Sequence, residues 1–143
     1  MGQSREDIVA ERVAETGIDE AMVKRLVHRF YGEVRADPVL GPVFEAQVED
    51  WPAHLAKLCD FWSSIALMTA RFSGKPMQAH APLPIDETHF RRWLQLFAQT
   101  AAEVCPPAAA RFFVGRAEMI AQSLQLGLDW ARSRAVGANE RSA

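Results

Sequence analysis

Four side chains carry the chemistry that this sequence can offer: His54, His80, Trp93 and Tyr31, the last being its single tyrosine. On an α-helix at about 100° per residue with His54 as origin, Trp51 falls at about +60°, Leu58 at about +40°, Phe61 at about −20°, Ile65 at about +20° and Met68 at about −40°. One imidazole therefore stands in the middle of an apolar stripe. Buried without a partner, it would cost about 1–3 kcal/mol, so the stripe is expected to face something that uses the nitrogen. Tyr31 lies on the apolar side of its helix, away from Arg25, Arg29 and Glu33. Its hydroxyl therefore points inward and needs a partner, for which a backbone carbonyl serves as well as a ligand. Trp93 is central to a Phe90, Trp93 and Phe97 face, and its indole N–H has no acceptor nearby in sequence. His80 falls between Pro76 and Pro84, in a segment with no stripe or charge cluster to explain it; taken alone it reads as a solvated loop histidine.

Taken together, these buried polar groups exceed what a plain helical core carries. Zinc would want three or four ligands at recognisable spacing, and that spacing is missing. No Glu-x-x-His pair is present, which disfavours a di-iron bundle. Haem suits the residues better. It needs one strong protein ligand, an apolar slot rich in Phe, Leu and Met, and a few donors over its other face.

The elements that must position these residues are helical, and no strand pattern or internal repeat is seen. Ser4–Thr16 has a weak apolar pattern at Ile8, Val9 and Val13, with Gly17 as a stop. Asp19 caps a strong amphipathic helix through Met22, Leu26, Phe30 and Val34 that ends at Asp37–Pro38. Pro38–Phe44 is a short helix or turn that carries Phe44 inward. Asp50, with Pro52 in the first turn, starts the His54 helix, expected to run to about Phe72 before the Ser73–Pro76 breaker cluster. The prolines around Met77–Ala81 leave room for one or two helical turns. Asp86 caps the Trp93 helix, which stops before Cys105–Pro106–Pro107. A last helix from Ala108 to Arg132 presents Phe113, Ala117, Ile120, Leu124 and Leu128 as core.

A chain of 143 residues is expected to form one domain burying about two-thirds of the surface its unfolded form exposes. With 16 basic against 18 acidic residues and no dense basic block, nucleic acid and anionic membrane are not implied partners. Apolar runs are short, and Met1–Gly17 lacks a signal-peptide apolar region, so the expected compartment is the cytoplasm. Cys59 and Cys105 lack metal-binding spacing and are expected to be reduced thiols, neither a nucleophile.

Several pieces then fall into one order: Phe30–Tyr31, Leu40–Gly41–Pro42–Val43–Phe44, Trp51 to Leu55 around His54, Phe61–Trp62, Gly74 to Pro76 followed by His80, Leu83–Pro84, and His89 to Phe97 around Trp93. Over roughly Val13 to Trp130 the chain resembles the truncated haemoglobins of the third group. The resemblance implies an all-α fold, a shortened globin with helices packed two over two around haem b. It divides the chain into an extension over 1–12, a globin domain over 13–132 and a flexible tail over 133–143. It further implies that His80 is the proximal iron ligand, that Tyr31, His54 and Trp93 are distal, and that Phe44 packs on the porphyrin. Beside it, Leu58 is expected on the ligand side and Met77 among the haem contacts. Lys57, Arg71 and Lys75 are candidate propionate partners, with plain solvation the alternative for each. Whether His54 stands over the iron or at the mouth of the pocket stays open.

The function this implies is reversible binding of O₂, NO, CO, sulfide or cyanide at a pentacoordinate iron, with oxygen transport among its uses. The alternative is a haem enzyme, a peroxidase or NO dioxygenase drawing electrons from an external reductase, since no flavin domain is present. A cofactor-free helical interaction module is a third reading, and it leaves the buried polar residues without a role.

Overall fold

The computed structural model describes residues 2–80 and 83–142, without the side chains of Met77, Gln78 and 135–142. The side chain of Met77, expected among the haem contacts, and those of most of the expected tail therefore lie outside what is described. Seven helices are described: α1 (Arg5–Thr16), α2 (Glu20–Ala36), α3 (Gly41–Gln47), α4 (Trp51–Leu67), α5 (Pro76–His80), α6 (Glu87–Val104) and α7 (Pro107–Ser142).

Most starts are set by short polar side chains that take up amide hydrogens the helix cannot use. Ser4 and Asp7 close a capping box on α1, Asp19 accepts from the Met22 amide at 2.8 Å, and Asp50 accepts from the Ala53 amide at 3.1 Å. Asp86 accepts from the Thr88 amide at 2.9 Å, and His89 completes the box at the head of α6. Gly17 ends α1 at φ 71°, a conformation glycine adopts without steric cost.

α2 packs on α4 and α6, and α6 on α7, so the pairs α2–α4 and α6–α7 form the two layers. Between them Phe97 stacks on Trp62 with centroids 5.1 Å apart and meets Phe30 edge-on at 5.1 Å. Phe30, Trp62, Phe97 and Phe113 are all fully buried, each worth about 2–3 kcal/mol of apolar transfer. The deepest face of α4 is Trp62, Ser63 and Ala66, about 80–120° or more around the helix from His54. The His54 stripe is only half-buried. α4 thus has two apolar faces, one in the core and one turned toward a cavity.

Three boundaries differ from expectation. α4 stops at Leu67, five residues short of Phe72, because Met68 and Ala70 take left-handed φ values of 55° and 59°. Its last turn is capped from elsewhere: the Arg12 guanidinium of α1 donates to the carbonyls of Ile65 at 3.1 Å and Ala66 at 2.8 Å. The Phe72 amide returns to Ser64 Oγ at 3.0 Å. α3 begins at Gly41, whose missing Cβ allows the Arg35 carbonyl to approach; a Cβ there would lie 2.8 Å from that oxygen. α7 passes Arg132 and runs to Ser142, since no proline follows Pro107 to interrupt its hydrogen bonding. Among the described residues no helix is long and apolar enough to cross a membrane.

Candidate functional site

A cavity of about 720 Å³ opens between the two layers, within the range of about 300–1,000 Å³ that small-molecule and cofactor sites occupy. Six helices converge on it. α2 contributes Tyr31, α3 Phe44, α4 His54, Lys57, Leu58 and Phe61, α5 Pro76, Ala79 and His80, α6 Trp93, and α7 Ile120 and Leu124. Gly74 and Lys75 before α5, and Leu83 and Ile85 after it, complete the lining.

His80 is held from behind. Its Nδ1 lies 2.6 Å from the carbonyl oxygen of Pro76, one turn earlier. A carbonyl only accepts, so Nδ1 bears the hydrogen that points at it, and Nε2 is the nitrogen left for a metal.

Tyr31, His54 and Trp93 bring polar groups to the same cavity. Burial pushes the Tyr31 phenol up to about 12, the Trp93 indole N–H pulling the other way, so the hydroxyl keeps its hydrogen. Burial, then the charge of Lys57 and that of His80, holds the His54 imidazole below its usual range, favouring the neutral ring. The rings of Tyr31 and His54 are perpendicular at 6.3 Å, and Trp93 stacks on Phe97 at 5.5 Å. Burial also pushes the thiols of Cys59 and Cys105 up, away from nucleophilic use.

Arg71 is not brought to the cavity. Its guanidinium donates to Glu20 Oε1 and Ser63 Oγ, both at 2.5 Å, with Asp60 3.8 Å away. A carboxylate supplied by α2 claims the cation that sequence alone leaves free for a propionate. Lys57 and Lys75 do reach the cavity rim.

The sequence reading passed over other features of the site. Ile120 and Leu124 read as core, yet line the cavity from α7. His89 serves the α6 capping box and also lines the cavity; its place three residues after the Asp86 cap was the available signal. Phe72 packs edge-on against Phe61 at 5.0 Å, and Gly74 leaves room for its ring: a Cβ at 74 would sit 2.5 Å from the ring tip. The Trp51 indole nitrogen is buried with no hydrogen-bond partner among the described residues. Asp37, fully buried, accepts from the amides of Val39 and Leu40 at 3.0 Å each and from Arg92.

The model of the bacterial-like globin family matches residues 14–120. The group 3 truncated hemoglobin of Campylobacter jejuni is 32% identical over 113 residues, spanning 76% of this chain and 89% of its own length. The chain belongs to the truncated haemoglobins of the third group. The crystal structure of the group III truncated hemoglobin from Campylobacter jejuni matches this truncated haemoglobin with a TM-score of 0.74 at 32% identity, covering 78% of this chain and 91% of that one. Family membership implies haem binding and the binding of small gaseous ligands. The residues fit such a group: a largely apolar slot, one imidazole with one ring nitrogen engaged by a carbonyl, further polar donors in the same lining, and two lysines among the lining residues.

Proposed function

We propose that this truncated haemoglobin holds haem b through His80 and binds O₂ and other small ligands reversibly. The observation that carries the reading is the Nδ1 contact of His80 with the Pro76 carbonyl, which leaves Nε2 free to ligate a metal in the cavity that Tyr31, His54 and Trp93 also line. When bound, haem supplies an iron with one position open to O₂, NO, CO, sulfide or cyanide. The chain's own residues do the rest. Phe44 and Leu58 pack on the porphyrin plane and keep water from it, and Lys57 and Lys75 meet its carboxylates at the rim. The Tyr31 hydroxyl and the Trp93 indole donate toward a ligand that gathers negative charge, in a site dry enough for the donation to count. Neutral His54 stands beside them as a third donor or acceptor. Titration of haemin into the purified protein tests this: a Soret band is expected with the wild type and a markedly weaker one with His80→Ala. Equal haem affinity in the two proteins would refute it.

A second reading is a haem enzyme, a peroxidase or NO dioxygenase supplied with electrons by an external reductase. What favours it is the number of donors on one wall, more than simple storage requires. Turnover of peroxide, or of NO in the presence of O₂ and a reductase, separates the two, and rates unchanged by Tyr31→Phe and Trp93→Phe would argue against donor-assisted chemistry.

A further inference from the structure

We propose that Arg132 is a positioning residue for His80, acting through the backbone that follows α5; the inference rests on the haem reading above. Arg132 Nη2 donates to the carbonyl oxygens of Leu83 at 3.3 Å and Ile85 at 2.7 Å. The Leu83 amide in turn donates to the His80 carbonyl at 3.0 Å, and the Ile85 amide to the Leu83 carbonyl at 2.9 Å. One guanidinium is thus two hydrogen bonds away from the peptide of the ligating histidine.

The need for such a clip follows from the length of α5. It has five residues, far fewer than the roughly 12–15 at which a helix begins to hold itself in water. Its orientation must come from what it is fastened to. The imidazole is tied within α5 to the Pro76 carbonyl, α5 itself packs on α7, and beyond the imidazole the fastening is Leu83–Ile85. That strap has an apolar anchor as well as the polar one, for Ile85 packs on the buried cluster of Phe90, Ala121 and Leu128. Arg132 is one turn beyond Leu128 on α7, so both anchors come from the same stretch of helix. Bonds from a charged donor are the stronger kind, and a guanidinium directs them along fixed lines. Arg132 and Leu128 lie past residue 120, where the match to the family model ends. The clip is a contribution of the C-terminal length of α7.

The test uses the haem-loaded full-length protein. Haem transfer to an excess of a scavenging apoglobin and the iron–histidine stretching band of the ferrous form are measured for wild type, Arg132→Ala and Arg91→Ala. Arg91 is an exposed control whose partner is Glu87 on its own helix. With Arg132→Ala, haem is expected to leave about two- to tenfold faster, and the iron–histidine band to shift or broaden; Arg91→Ala should match wild type in both. Wild-type values of both quantities in Arg132→Ala overturn the clip, as does an equal change in the two variants, which would mean a loss of surface charge alone. A wild type without a Soret band sinks the haem reading and this inference together; a normal Soret band with an unaltered Arg132→Ala sinks the clip only.

Discussion

Arg92 sets two guanidinium nitrogens on one carboxylate oxygen of Asp37, Nε at 2.8 Å and Nη2 at 2.7 Å. The pair joins the end of α2 to the residue next to Trp93, and Asp37's other oxygen takes the amides that open the Pro38–Leu40 turn. Burial raises the Asp37 carboxyl, but the Arg92 hydrogen bond and the Leu40 and Val39 amides outweigh it and hold the group below its usual range. A depressed carboxyl stabilises the fold above its unfolded value, about 3.9, and that contribution is lost as pH falls toward the folded value. Asp37→Ala should cost about 1–3 kcal/mol at neutral pH, because the Val39 and Leu40 amides lose their acceptor while Arg92 keeps Gln95 and partial access to water. Urea unfolding across the acid range checks both points: the variant's stability should change less with pH below about 4 than the wild type's.

Haem should act as a stabilising ligand that binds only the folded chain. Where free haem exceeds its dissociation constant a thousandfold, the gain is about 4 kcal/mol. Apoprotein should therefore melt well below holoprotein in a thermal scan. In His80→Ala most of that difference should vanish, with the apoprotein midpoint little changed.

Tyr31→Phe and Trp93→Phe each remove a donor from the cavity that His80 also lines. Either should raise the O₂ dissociation rate about tenfold, equivalent to about 1.4 kcal/mol, in a stopped-flow displacement by CO. The Tyr31 phenol holds its hydrogen up to about 12. The ratio of the Tyr31→Phe rate to the wild-type rate should accordingly be flat between about pH 6 and 9.

His54 should make the fold weaker in mild acid. Its folded value lies below the unfolded one, about 6.5, through burial and then the charges of Lys57 and His80. The unfolded chain therefore takes up a proton first, and stability falls as pH drops from about 6.5 toward the folded value. His54→Gln keeps the size and polarity and removes the titration. Denaturant midpoints measured from neutral pH into that window should decline less for the variant.

Helix starts were legible because their causes are local: Ser4, Asp19, Asp50 and Asp86 each stand next to the amides they cap. Tyr31, His54 and Trp93 could be singled out as polar groups in places that demand a partner, whereas His80 alone reads as a loop histidine and gains its role from the family resemblance; the structure brings all four to one cavity. What could not be read depends on contacts across the chain. The end of α4 rests on Arg12 reaching Ile65 and Ala66, and Arg71 is drawn off by Glu20, 51 positions away. Periodicity also could not rank the two apolar faces of α4. The Trp62 face and the His54 face have similar composition, and only the packing of α2 and α6 makes one of them core.

Gly74 touches no ligand, yet it decides how roomy the cavity is. The Phe72 ring rests where a methyl group on residue 74 would have to go, and that ring is part of the cavity wall, edge-on to Phe61. Any larger residue at 74 would swing the ring or shift the turn before α5. The capacity of the slot is thus governed by an atom the chain omits, and residue 74 is where a change of one carbon would retune which guests fit.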